Sequence, residues 1–222
     1  MRVAIAGAGN VGRSIAAELL DNGHEVLLIE KEARSLKVDT VPQAEWLHAD
    51  ACEISYLEEA QLQRCQVVIA ATGDDKANLV VSLLAKTEYA VPRVVARVNH
   101  PKNEWLFNDA WGVDVAVSSP RLLSALVEEA VTVGDLVRLL TFEQGRVNLV
   151  ELTLPDDTPL LGRRLGSVTW PQDTSLVAIL REGKVLVPSA DDALEGGDEL
   201  LFVATPEVED QIEALLAGDR HP

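Results

Sequence analysis

The chain has 222 residues, 47% of them hydrophobic, and a formal net charge of -17. That length suits one large domain or two small ones, and two is the expectation. The acidity argues against nucleic acid and against an anionic membrane surface, because phosphate binding needs clustered cations.

In chain order, short β-branched runs alternate with amphipathic stretches, which signals βαβ units and a parallel sheet. Strands are predicted at Val3–Ala6, Val26–Ile29, Glu45–His48, Val67–Ala71, Val94–Val98 and Val113–Val117. Helices are predicted between them at Val11–Asp21, Ile54–Gln61, Ala77–Thr87 and Glu104–Trp111. Right-handed crossovers would place helices on both faces, giving a doubly wound α/β sheet of the Rossmann kind over residues 1–118.

Ser118-Ser119-Pro120 then reads as a helix start, and Arg121–Leu140 continues with apolar residues at three- and four-residue intervals. This element, over 119–141, is either a dimer or interdomain contact or a helix packed on its own sheet. From residue 142 a smaller α+β domain is expected. Its predicted elements are a strand at Val147–Thr153, a short helix at Leu160–Leu165, a hairpin of Ser175–Leu180 and Val185–Val187, a strand at Leu200–Ala204 and a helix at Pro206–Leu216. The loops around Pro155-Asp156-Asp157 and Glu195-Gly196-Gly197-Asp198 punctuate it.

The glycines Gly7, Gly9 and Gly12 follow the first strand and open the first helix. In that context the first permits a tight turn, the second leaves room for a pyrophosphate, and the third lets helix and strand approach. The helix start offers free amides and a positive dipole end to phosphates. Glu30, at the end of the second strand, stands where a ribose-binding carboxylate belongs, which favours NAD or an adenosine nucleotide over NADP, although Lys31 beside it softens that preference. Thr72 and Gly73, after the fourth strand, should face Gly7 across the crevice. Asp74 and Asp75 have helix capping as their simplest role. Asp50 either sits at the adenosine end or caps the helix at Ile54. Arg97 either reaches a phosphate or pairs with Asp74 or Asp109.

Cys52 and Cys65 stand apart, and His24, His48, His100 and His221 lack metal-ligand spacing, so buried thiols and no structural metal are expected. No serine sits in a nucleophile-elbow context. From Val147 onward there is no histidine before His221, no cysteine and no tyrosine to serve a dehydrogenase. The expectation is a sensor rather than an enzyme, with a small NAD-dependent oxidoreductase as the alternative. No basic leader precedes Arg2 and no apolar run is long enough to span a bilayer, so a cytoplasmic protein is expected.

Gly7-Ala8-Gly9-Asn10-Val11-Gly12-Arg13-Ser14-Ile15-Ala16, the segment Ala71 to Leu79 containing Thr72-Gly73-Asp74-Asp75, and Ala96-Arg97-Val98-Asn99 together resemble the nucleotide-binding regulators of potassium conductance. These are the cytosolic RCK subunits of Trk and Ktr potassium-uptake systems. Leu160-Leu161-Gly162 and Gly197-Asp198-Glu199-Leu200 are similar to that family's C-terminal regulatory (TrkA-C) domain. The resemblance implies a homodimer assembling into a ring, possibly an octamer, docked at the inner face of the plasma membrane beneath a potassium channel or transporter. It makes the helix from Arg121 the dimerising crossover element. By position it assigns Gly7, Ala8, Gly9, Asn10, Val11, Gly12, Glu30, Asp50, Ala51, Thr72, Gly73 and Arg97 to a nucleotide, either NAD/NADH or ATP/ADP. Some members bind cyclic di-AMP in the second domain, for which Arg163, Arg164 and Arg181 are the available cations.

Overall fold

Alternate side chains of the first strand, β1 (Arg2–Ala6), enter two different cores. Val3 and Ile5 pack with Ala16, Val26 and Leu28, whereas Ala4 and Ala6 pack with Leu57, Val68, Ala70 and Leu79. A strand with period-two alternation that is apolar on both sides belongs in the middle of a parallel sheet. The computed structural model describes residues 1–131, 133–142 and 146–217, without the side chains of 128–131 and 217. It divides into two units, Met1–Pro120 and Arg121–Pro222.

In the first unit β1 is followed by α1 (Asn10–Asp21), β2 (Glu25–Glu30), β3 (Glu45–His48), α2 (Ile54–Glu59), β4 (Val67–Ala70), α3 (Asp75–Thr87), β5 (Arg93–Val98) and β6 (Val115–Ser118). The six strands are all parallel, in the order β3-β2-β1-β4-β5-β6. The Rossmann doubly wound reading therefore holds. Ile15 and Leu19 of α1 belong to the core on one face, and Leu57 of α2 with Leu79, Val81 and Ala85 of α3 to the core on the other. The expected helix at Glu104–Trp111 is instead two 3-10 turns, Pro101–Leu106 and Asp109–Trp111. Asn108 separates them, its side chain accepting from Ala110 N, and Gly112 at φ +71° ends the second.

The largest correction concerns the expected helix Arg121–Leu140. Helix α4 covers Ser119–Val131, while Val137–Phe142 forms a strand, β7, so the span 119–141 is not one element. Gly134, at φ +95°, donates its N–H to Thr153 O, and β7 pairs antiparallel with β8 (Val147–Thr153). The other strands are β9 (Thr174–Arg181), β10 (Lys184–Leu186) and β11 (Glu199–Ala204), in the sheet order β10-β9-β11-β8-β7. One face of this sheet carries Val150, Leu152, Ile179, Leu200 and Phe202, packed with Ile212 and Leu216 of α5 (Glu209–Ala217). The expected helix at Leu160–Leu165 is absent. The backbone donors of Gly162, Leu165 and Gly166 go to the carbonyls of Leu194, Asp192 and Ala190, which holds this segment as a loop before a 3-10 turn at Leu165–Ser167. The expected terminal helix begins with a 3-10 turn at Pro206–Val208.

Candidate functional site

The strand order reverses direction between β1 and β4, and the crevice outside the carboxyl ends of strands at such a point is where doubly wound sheets take ligands. Here it is a cleft of about 940 Å³. Gly7 and Gly9 line it from the β1–α1 loop, Asn10 and Val11 from the first turn of α1, Glu30 from β2, Asp50 and Ala51 from beyond β3, Thr72 and Gly73 from beyond β4, and Arg97 from β5. Ala8 and Gly12 stand behind this lining. Ala8 is fully buried, and a Cβ on Gly12 would lie 1.9 Å from Gly7 O. A Cβ on Gly9, in contrast, would meet nothing within 4 Å.

Glu30 is 8% exposed, and its carboxylate is pinned by two backbone donors. Oε2 accepts from Ala8 N at 2.7 Å and Oε1 from Glu32 N at 2.8 Å. This ties the glycine loop to the end of β2 while each oxygen keeps a second acceptor site. A ribose hydroxyl seated on this carboxylate would make Glu30→Ala weaken adenosine-nucleotide binding by about 1–3 kcal/mol, with the Ala8 N–H left orphaned. Titration calorimetry checks this, and unchanged affinity would place the ribose elsewhere.

Asp50 does not cap α2; the residue at that cap is Glu53. Its Oδ2 takes Lys31 Nζ at 2.6 Å and its Oδ1 takes Cys52 N at 3.0 Å. Lys31, followed by the Cys52 amide, holds the Asp50 carboxyl below its ordinary range. Burial, reinforced by Asp50, pushes the Cys52 thiol up to about 11, so it stays protonated at neutral pH. Cys65 is buried, and both thiols are free. Among the described residues no three His, Cys, Asp or Glu side chains group as a metal site.

Arg97 lines the cleft, and its Nε is buried without a hydrogen bond, as Arg2 Nε is elsewhere in the first unit. A buried guanidinium N–H left unpaired is costly, and the guanidinium's charge at the cleft suits an anionic group such as a phosphate. Asp74, one of the carboxylates offered to Arg97 as an alternative, caps α3 by accepting from Lys76 N at 2.9 Å. Asp75 is no cap. Its 7%-exposed carboxylate accepts from Asn99 N, Asn99 Nδ2, His100 N and Asn103 Nδ2. Burial pushes its pKa up, but these four donors together outweigh burial and hold it below the ordinary range. The sign follows: Asp75 contributes stability above the unfolded aspartate pKa, and that contribution fades as pH falls through the lowered folded value.

Sequence reasoning missed Glu32, Ser35 and Cys52 on the rim and Ala77, Val80 and Val81 on α3, all of which line the cleft. The last three share one helical face by their spacing, so their signal was present in the periodicity. Ser35 lies in the β2–β3 connection, which has no pattern to read. In the second unit Arg181 binds Asp198 through Nε and Nη2, Arg164 pairs with Asp191 at 2.8 Å, and Arg163 donates to Ser167 O.

Residues 3–119 match the TrkA-N domain and residues 149–217 match the TrkA-C domain. The chain is 61% identical over 216 residues to the Trk system potassium uptake protein TrkA of Mycobacterium tuberculosis strain H37Rv, covering 97% of this chain and 98% of that protein. The chain belongs to the TrkA family of Trk potassium-uptake regulatory proteins. A TrkA homolog of Methanothermobacter thermautotrophicus is 31% identical, covering 90% of this chain and 92% of its own. Among solved structures, the GsuK channel bound to NAD superposes with a TM-score of 0.66 at 19% identity, over 97% of this chain and 39% of that one. The Shewanella denitrificans Kef C-terminal domain in its AMP-bound form gives 0.51 at 20% identity, over 59% of this chain and 79% of its own. At these identities the structural likeness speaks for the fold, which is that of RCK domains. Among the described residues no helix is long and apolar enough to cross a membrane.

Proposed function

We propose that this TrkA-family chain is a cytoplasmic, non-enzymatic subunit that binds an adenine nucleotide, NAD/NADH or ATP/ADP, and thereby gates a membrane potassium channel or transporter through a homo-oligomeric ring. Arg97 carries the reading, since its guanidinium-bearing side chain lines the same cleft as open Gly9 and anchored Glu30. A cationic ligand would be repelled by that guanidinium; a pyrophosphate suits both the arginine and the glycine loop. NAD in GsuK and AMP in the Kef domain, bound by proteins of the same fold, support an adenine nucleotide.

Two surfaces support assembly. Helix α4 presents Leu123, Leu126 and Val127 to solvent, and the second sheet presents Leu140, Phe142, Val177 and Val185. Such apolar exposure marks interaction surfaces. The dimerising element is then α4 alone, shorter than the 119–141 span. A nucleotide shifts such a ring between states only by the difference in its affinity for them, about 1.4 kcal/mol per tenfold ratio.

The non-enzymatic reading is supported by a protonated Cys52 and by carboxylates already engaged by Lys31 and backbone amides. The deciding experiment is competition of NADH, ATP and ADP in one binding assay, with solution mass followed in parallel. Tight binding of at least one, with ring mass or shape responding and nicotinamide fluorescence constant over time, is the expected result. Steady turnover of the nicotinamide with a substrate would establish the oxidoreductase instead.

A further inference from the structure

Asn78 lies in the first turns of α3 and is completely buried, at 0% exposure. A buried amide is costly unless its donors and acceptor are paired. All of them are paired here, and only with two residues. Oδ1 accepts from Thr72 N at 2.9 Å and Thr72 Oγ1 at 2.6 Å. Nδ2 donates to Arg97 O at 2.8 Å and to Thr72 O at 3.2 Å. Both residues line the cleft and belong to different strand ends, Thr72 beyond β4 and Arg97 within β5, while Asn78 itself lies outside the lining.

A second side chain reinforces the same turn. Asn99 Nδ2 donates to Thr72 O at 3.0 Å and to Asp75 Oδ1 at 3.0 Å, and Asp75 also holds His100 N and Asn103 Nδ2. The backbone N–H and C=O of Thr72 are thus both satisfied by side-chain amides, so its position depends on them. A loop turn whose backbone groups are met by buried side chains rather than by water is held in one arrangement. What it holds in register is the Thr72–Gly73 turn and the strand segment that carries the unpaired Arg97 Nε.

We propose that Asn78 is a positioning residue for the second phosphate of a nucleoside diphosphate or dinucleotide, fixing Thr72 and Arg97 as one preformed anion-binding unit. The inference rests on the reading of the cleft as a nucleotide site. A first phosphate falls to Gly9 and the start of α1, which Asn78 does not touch. The consequence is a role in discrimination: Asn78 supports affinity for a diphosphate and not for a monophosphate.

The test titrates AMP and ADP calorimetrically into the full chain, as wild type, Asn78→Leu and Ser82→Ala. Leu has comparable volume without hydrogen-bonding capacity. Ser82 is a buried polar control on the same helix, donating to Asn78 O at 2.7 Å, and it does not line the cleft. Wild type is expected to prefer ADP over AMP. Asn78→Leu is expected to lower ADP affinity roughly tenfold or more while AMP stays within about twofold, and Ser82→Ala to keep the wild-type ratio. Proportional loss of both nucleotides in Asn78→Leu would reveal a merely structural role and overturn the proposal, as would an unchanged ratio or a wild type indifferent to the second phosphate. If circular dichroism shows Asn78→Leu unfolded, Asn99→Ala replaces it, removing one of the two donors to Thr72 O. A fall of roughly threefold in the ADP-to-AMP preference is then expected, and a wild-type preference overturns the proposal. Wild type binding neither nucleotide overturns the reading of the cleft instead, so the two failures are distinct.

Discussion

Replacing Arg181 with Ala is expected to destabilise the second unit by about 3–5 kcal/mol. Asp198 is completely buried, at 0% exposure, and its carboxylate is met by Arg181 Nε at 2.7 Å and Nη2 at 2.8 Å. The same guanidinium also binds the Ala193 carbonyl and Glu195, so it staples β9 to the turn before β11. Taking it away leaves a buried charge held by the Glu195 N–H at 2.9 Å, and that desolvation is the origin of the large cost. Lys in its place keeps the charge but not the planar fork, and is expected to recover less than half of the loss. Urea denaturation of the full chain, followed by far-ultraviolet circular dichroism, measures both. A loss below about 1 kcal/mol, the scale of an exposed pair, would show that Asp198 is solvated in solution. The same pairing makes Arg181 a poor candidate for a cyclic dinucleotide contact, because engaging a phosphate would mean abandoning Asp198.

The second large effect separates two glycines of one motif. Gly9→Val is expected to lower nucleotide affinity roughly a hundredfold, about 2.8 kcal/mol, with the fold preserved. Gly9 has φ −63° and ψ −174°, an extended conformation open to any residue, and its Cβ would point into empty space at the cleft. Gly12→Val should instead cost roughly 3 kcal/mol of stability, because its Cβ would lie 1.9 Å from the Gly7 carbonyl and α1 would have to leave β1. Calorimetry with ADP or NADH beside a thermal melt of each variant distinguishes them. Tight nucleotide binding by Gly9→Val would move the pyrophosphate away from this loop.

Much of the first unit was legible because its information is local. Alternation within each strand, three- and four-residue spacing in α1 and α3, and glycines at positions that need close approach all lie within a few residues of one another. The cleft followed from the same source, since strand order dictates which loops meet. Thr72 and Arg97 line it for that reason. Asp75 and Asn78, adjacent to the Thr72 turn, could not be assigned their partners, because Asn99, Asn103 and Arg97 come from a later strand and its loop. Local capping was the simplest role for Asp75, and only Asp74 performs it.

The misread strand shows the limit most clearly. In Val137-Arg138-Leu139-Leu140 apolar spacing fits a helix continuing from α4, and nothing within that run excludes one. Its conformation is decided by β8, which offers a free edge for Val137–Phe142 to pair with, and by the turn at Gly134 that lets the chain reach it. The amino-acid sequence by itself determined the doubly wound sheet, the glycine loop and the strand-end carboxylate of Glu30, because backbone conformation and period are properties of neighbouring residues. Only the tertiary structure decided that residues 137–142 are a strand, that Arg181 serves Asp198, and that Asn78 joins Thr72 to Arg97. Each of those is a pairing of hydrogen-bonding groups distant along the chain, settled by which donors and acceptors folding buries together.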